Sequence, residues 1–116
     1  MSYVDGYLLA VPAANKDKYQ SMANLAADIF LENGATSVFE GWGESVPEGT
    51  VNSMHTAVLR EADEVVVFSW VCWPDKPTRD AGMQRVMADE RLNCITDMPF
   101  DGKRMIFGGF ETLVQR

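Results

Sequence analysis

Asp5, Glu40 and Ser69 are polar residues set inside stretches that otherwise read as apolar strands, and Arg104 opens a further stretch beside Asp101. A carboxylate on an apolar strand is costly unless it is paired or put to use, and an arginine fork is suited to binding one through two parallel hydrogen bonds. Two readings follow. These side chains either contribute to a ligand site or form an ion pair that fixes strand register, and ion pairs without any chemical role cluster in the same way. Trp42, flanked by Gly41 and Gly43, supplies either an apolar wall or ordinary core. The pair Gly108-Gly109 inside the last apolar stretch marks a close approach by a ligand or by another part of the chain. His55 is the only histidine, so any imidazole acid–base role falls to it. The candidate ligand-binding residues are therefore Asp5, Glu40, Trp42, His55 and Arg104, with no catalytic residue assigned.

Other chemistries find no support in the spacing. Neither GxGxxG nor GxxxxGK[ST] occurs, so no phosphate loop is expected. One histidine and two distant cysteines, Cys72 and Cys94, make neither a metal motif nor a disulfide framework. No cofactor and no metal are expected. Cys72 lies mid-strand, and Cys94 has no adjacent histidine or lysine to activate its thiol.

The elements that must position these residues alternate. Tyr3–Val11 reads as a strand stopped by Pro12. Across Asn15–Asn33, Tyr19, Met22, Ala23, Ala26, Ile29 and Phe30 recur at helical spacing, with Asn15 as N-cap and Gly34 just past the end. Ala35–Gly43 reads as a second strand, Glu44–Asn52 as a loop and Met54–Arg60 as a short strand. Glu64–Trp73 is the strongest strand. Pro74 and Pro77 stop it and open a helix burying Met83, Val86 and Met87, which frays near Asp89–Asp97. Arg104–Val114 is the last strand. This order predicts an α+β, ferredoxin-like split βαβ sandwich with an antiparallel sheet and both helices on one face. Residues 1–116 are read as a single domain.

A net charge of −7 with scattered basic residues argues against a nucleic-acid partner. No apolar run approaches the ~20 residues of a membrane span. The N-terminal stretch lacks a basic leader and carries Asp5 in its apolar run, which predicts a cytoplasmic protein. Glu64–Trp73 is apolar on both parities, yet two helices cover only one sheet face. The helix-free face then carries an apolar patch best covered by a second copy, so a homodimer is expected. Parity alone leaves open whether Phe68 or Phe107 meets the partner.

Several segments together carry a family resemblance: Tyr3–Tyr7 (YVDGY), Val11–Tyr19 (VPAANKDKY), Gly34–Gly49, Val66–Trp70 (VVFSW), Arg79–Ala81 (RDA) and Pro99–Glu111 (PFDGKRMIFGGFE). With these the chain resembles the bacterial DUF1428 proteins along nearly its whole length. The resemblance implies a dimeric α/β barrel, in which two ferredoxin-like sheets pack face to face, and no established activity. Three function classes stay open. One is a protein that binds a small apolar or polar-tipped molecule between sheet and helices. Another is a cofactor-independent oxygenase or isomerase-like enzyme, and the third a structural or partner-binding dimer.

Overall fold

The computed structural model describes all residues from 1 to 116. Its strands are β1 (Tyr3–Pro12), β2 (Ser37–Trp42), β3 (Glu64–Trp73) and β4 (Ile106–Glu111), and its helices α1 (Lys16–Glu32), α2 (Met54–Ala57), α3 (Lys76–Met87) and α4 (Glu90–Asn93). The strands form one antiparallel sheet in the order β2-β3-β1-β4. This is the ferredoxin-like arrangement that the element order predicts.

Register assigns the faces. Tyr3 pairs with Trp73, Asp5 with Val71, Tyr7 with Ser69, Leu9 with Val67 and Val11 with Val65. Side chains alternate along a strand, so all of these share one face. On that face Leu9, Val11 and Val67 pack with Tyr19 and Ala23 of α1. Val71 and Trp73 pack with Ala35, Phe30 of α1 and Met83 of α3. Both long helices therefore cover the same side. Gly34 ends α1 with φ of +108°, a conformation that glycine adopts without strain. Gly82 lets α3 lie against Trp73; a methyl group there would sit 2.6 Å from the indole ring.

The opposite face presents Val4, Gly6, Phe68, Trp70, Cys72 and Phe110. Phe39 stacks on Trp70 at 4.1 Å between centroids, and Phe68 meets the same ring edge-on. Phe68 is 44% exposed and Phe110 60%. Phe107 lies opposite Tyr7 and so belongs to the helix-side face, at the sheet edge. Register thus settles what parity left open: Phe68, and not Phe107, is on the helix-free face.

Four local expectations change. Met54–Arg60 is not a strand: Met54–Ala57 is helical and the sheet has four strands. Instead Ser53 and Thr56 form a reciprocal capping box that starts α2, and the following Val58 is fully buried against Ala10 and Val66. The last strand is shorter than Arg104–Val114: Arg104 lies in a 3-10 turn, and beyond Glu111 the chain outruns the start of β1. Asn15 precedes α1 without capping it through its side chain; its amide reaches the Pro99 carbonyl at 2.9 Å. Met87 is 69% exposed, because α3 rotates Val86 rather than Met87 into the core.

Candidate functional site

The candidate charged residues Asp5, Arg104 and Glu40 fall in three separate clusters. Asp5 is 3% exposed at the middle of the sheet. Its carboxylate accepts from Trp73 Nε1 at 2.9 Å and from Arg79 Nη2 at 2.7 Å, with Arg79 Nε 3.1 and 3.2 Å from its two oxygens. Arg79 also donates to Asp80 and lies 5.2 Å from the centre of the Tyr3 ring. All of the carboxylate's charge is thus met by fixed donors. Tyr3 in turn occupies the space above Gly109, where a methyl group would come within 2.4 Å of its hydroxyl oxygen. Of the paired glycines it is Gly109 that makes room for Tyr3, whereas a methyl group at Gly108 would meet only the Phe110 ring.

Arg104 does not reach Asp5 or Glu40. It holds Glu64 through two hydrogen bonds of 2.6 Å, donates to Asp101 at 3.0 Å and ties down the Leu59 carbonyl. Those hydrogen bonds from Arg104 lower the Glu64 pKa against the opposing effect of burial. His55, on α2, has Nε2 3.0 Å from the Val46 carbonyl and so pins the loop that follows β2.

Glu40 stands apart from both ion pairs. It lies opposite Ser69, which in turn lies opposite Tyr7, so one polar row crosses the helix-side face between apolar rows. Tyr19 of α1 donates to Glu40 Oε1 at 2.6 Å. Around this bond α1 and β2 frame a cleft of about 360 Å³. Val38, Trp42, Val67, Ala23 and Ala27 form apolar walls, while Lys16, Gln20 and Asn24, one helical turn apart, line the rim. The Lys16 ammonium lies 5.3 Å from the centre of the Trp42 ring. Desolvation by the walls raises the Glu40 pKa, and the Tyr19 hydrogen bond opposes it. Tyr19 is raised strongly, first by burial and then by its bond to Glu40, so it stays a donor. Tyr7 is pushed up to about 12, by burial first and by Asp5 second.

A larger hollow of about 680 Å³ runs along the outer side of α3 and is lined by residues 79–88 alone. With only one wall it is an open surface trough, whereas the α1–β2 cleft has two walls and a charged group at its side. No three His, Cys, Asp or Glu side chains gather in a metal-binding arrangement. The structure therefore brings Glu40 and Trp42 to one cleft and places Asp5, His55 and Arg104 outside it. Sequence reasoning missed Tyr19, Lys16 and Arg79. Tyr19 and Lys16 are legible only once α1 is laid against β2, while the charge on Arg79 was visible beside the unpaired Asp5.

The pieces of sequence behind the family resemblance meet in space: Asp5 of YVDGY binds Arg79 of RDA, and Tyr19 of VPAANKDKY binds Glu40. The family model described as a protein of unknown function, DUF1428, matches residues 2–102, and the chain belongs to that family. It is 50% identical over 115 residues to uncharacterized protein YbaA of Escherichia coli K12, covering 98% of each chain, and to YbaA of Shigella flexneri at the same level. Among solved structures it resembles SnoaB, a cofactor-independent oxygenase from Streptomyces nogalater. The TM-score is 0.55 at 10% identity, over 98% of this chain and 95% of that one, a likeness of fold. No helix is long and apolar enough to cross a membrane.

Proposed function

We propose that this protein acts as a homodimer closed across its helix-free sheet face, and that each subunit binds a small, flat, mostly apolar molecule with a polar tip in the α1–β2 cleft. The observation that carries this reading is the Glu40–Tyr19 hydrogen bond set in an apolar cleft of about 360 Å³, a volume within the range of small-molecule sites. Trp42 offers a flat apolar surface to such a molecule. The second oxygen of Glu40 accepts from a hydroxyl or amine at its tip. Asp5 and Arg104 support the site indirectly, by fixing β1 to α3 and the end of the β4 turn to β3. His55 holds the loop after β2, the strand that carries Glu40 and Trp42.

The dimer rests on the row of half-exposed aromatics Phe39, Phe68, Trp70 and Phe110, which is too large a patch for an isolated soluble chain to leave open. The net charge of −7 favours neither a nucleic-acid partner nor an anionic surface. The fold shared with SnoaB supports a cofactor-free enzyme as the alternative user of the same cleft.

The test is calorimetric titration with 2-naphthol, a planar apolar molecule with one hydroxyl donor. Saturable binding that Trp42→Ala weakens tenfold or more, without loss of the far-ultraviolet spectrum, is expected. Absence of saturable binding to the wild-type protein would overturn the cleft reading. Light scattering should return twice the chain mass of 12.9 kDa; a monomer at micromolar concentration refutes the dimer.

A further inference from the structure

We infer that Glu40 is a general base that takes a proton from carbon beside a carbonyl group, so that the ligands of the cleft include enolisable ketones. The inference rests on the cleft reading above and adds a reaction to it.

Four features of the cleft combine to this end. Glu40 has one oxygen occupied by Tyr19 at 2.6 Å, which fixes the carboxylate's orientation, and its other oxygen is free to accept. The carboxylate stands beside apolar walls, where desolvation raises its affinity for a proton. Across the cleft mouth Lys16, Gln20 and Asn24 present an ammonium and two amides from one side of α1. Those donors suit an oxygen that gains negative charge, which is what a ketone oxygen does when its neighbouring carbon is deprotonated. Trp42, on the same strand as Glu40 and with the Lys16 ammonium 5.3 Å from its ring centre, lines the same cleft and offers a flat surface for the ketone's ring. Asp5 and Glu64, the buried carboxylates, are each fully engaged by an arginine and cannot serve.

The step balances without any further reagent. Glu40 takes the proton as the C–H bond breaks, its electron pair becomes the carbon–carbon π bond of the enolate, and the carbonyl π pair moves onto oxygen. The protonated Glu40 then returns a proton to the same carbon or to a conjugated one, restoring the carboxylate. Nothing is oxidised or reduced. Tyr19 is a positioning residue, since it acts on the substrate only through Glu40.

The experiment follows solvent deuterium incorporation at the carbon beside the carbonyl of 2-tetralone in D2O by NMR, alongside calorimetric binding of the same ketone. Wild-type protein should accelerate exchange over buffer, and Glu40→Gln should reduce that acceleration at least about 100-fold while still binding 2-tetralone. Tyr19→Phe should lower kcat with little change in KM and shift the pH profile of exchange. Binding without accelerated exchange, or equal exchange by the wild type and Glu40→Gln, overturns the base and leaves the cleft reading intact. Failure of 2-tetralone to bind the wild type overturns the base, and only failure of 2-naphthol to bind as well overturns the cleft reading.

Discussion

Replacing Arg79 by Met removes three of the four short contacts that satisfy the Asp5 carboxylate and leaves only Trp73 Nε1 at 2.9 Å. Asp5 is 3% exposed, so water cannot take the place of the lost donors without opening the sheet from α3. Removing one partner of a buried pair costs about 3–5 kcal/mol, most of it the penalty of a stranded charge. The Arg79 side chain is 25% exposed, which puts the cost near the lower end, at about 3 kcal/mol. Unfolding entropy scales with length, and for a chain of 116 residues it is roughly 0.24 kcal/mol per degree. The midpoint of thermal unfolding should therefore fall by about 12 °C, measured by circular dichroism at fixed protein concentration. Asp5→Asn in the Arg79→Met background removes the stranded charge and should recover part of the loss. A fall of less than about 4 °C for Arg79→Met, or strict additivity of the two substitutions, refutes the view that this pair holds α3 to the sheet.

Phe68→Asp places a charge at the centre of the proposed interface and should convert the dimer to a folded monomer, read as a halved mass by light scattering with an unchanged far-ultraviolet spectrum. Arg104 keeps the Glu64 pKa below its ordinary value of 4.5, so the pair contributes stability above that value and loses it as pH falls through the lowered one. Arg104→Leu should accordingly destabilise the protein near neutrality and flatten the acid limb of its urea-midpoint profile below about pH 4.5. Glu40 has the opposite sign: its raised pKa means that the ionised form is disfavoured by folding at neutral pH, and the effect vanishes once pH drops below 4.5. Glu40→Gln, which keeps an acceptor for Tyr19, should leave the melting midpoint unchanged or higher at pH 7; a clear decrease refutes this.

The sheet and the two long helices were legible because their signals are local and redundant. Tyr19, Ala23 and Ile29 repeat at helical spacing and are buried, and Glu64–Trp73 is a strand by every measure, including its apolar character on both faces. Charge pairing was less legible. Asp5 and Arg104 were each recognisable as ionic groups in need of partners, but the partners are Arg79 and Glu64, residues whose approach depends on how α3 packs and on register across β1 and β3. His55 and the short α2 were misread for a related reason. A single turn of helix has no periodicity to reveal it, and only the Ser53–Thr56 capping box signals its start. Glu40 stood out by its setting, whereas Tyr19 was absorbed into the helix's buried stripe, although its hydroxyl is one half of the candidate site.

The strand order β2-β3-β1-β4 has a consequence for how the chain is made. Of the four strands β1 leaves the ribosome first, but Tyr3 lies opposite Trp73 on one side and opposite Glu111 on the other, so neither neighbour exists when it emerges. At about 5–20 residues per second, β1 waits on the order of several seconds for β3 and longer for β4. Through that interval α1 can form but has no sheet to pack on, and Leu9 and Val11 remain uncovered beside it. Cotranslational collapse is thus deferred until β3 is out, and the first half of this protein depends on its second half before it can bury Leu9 and Val11.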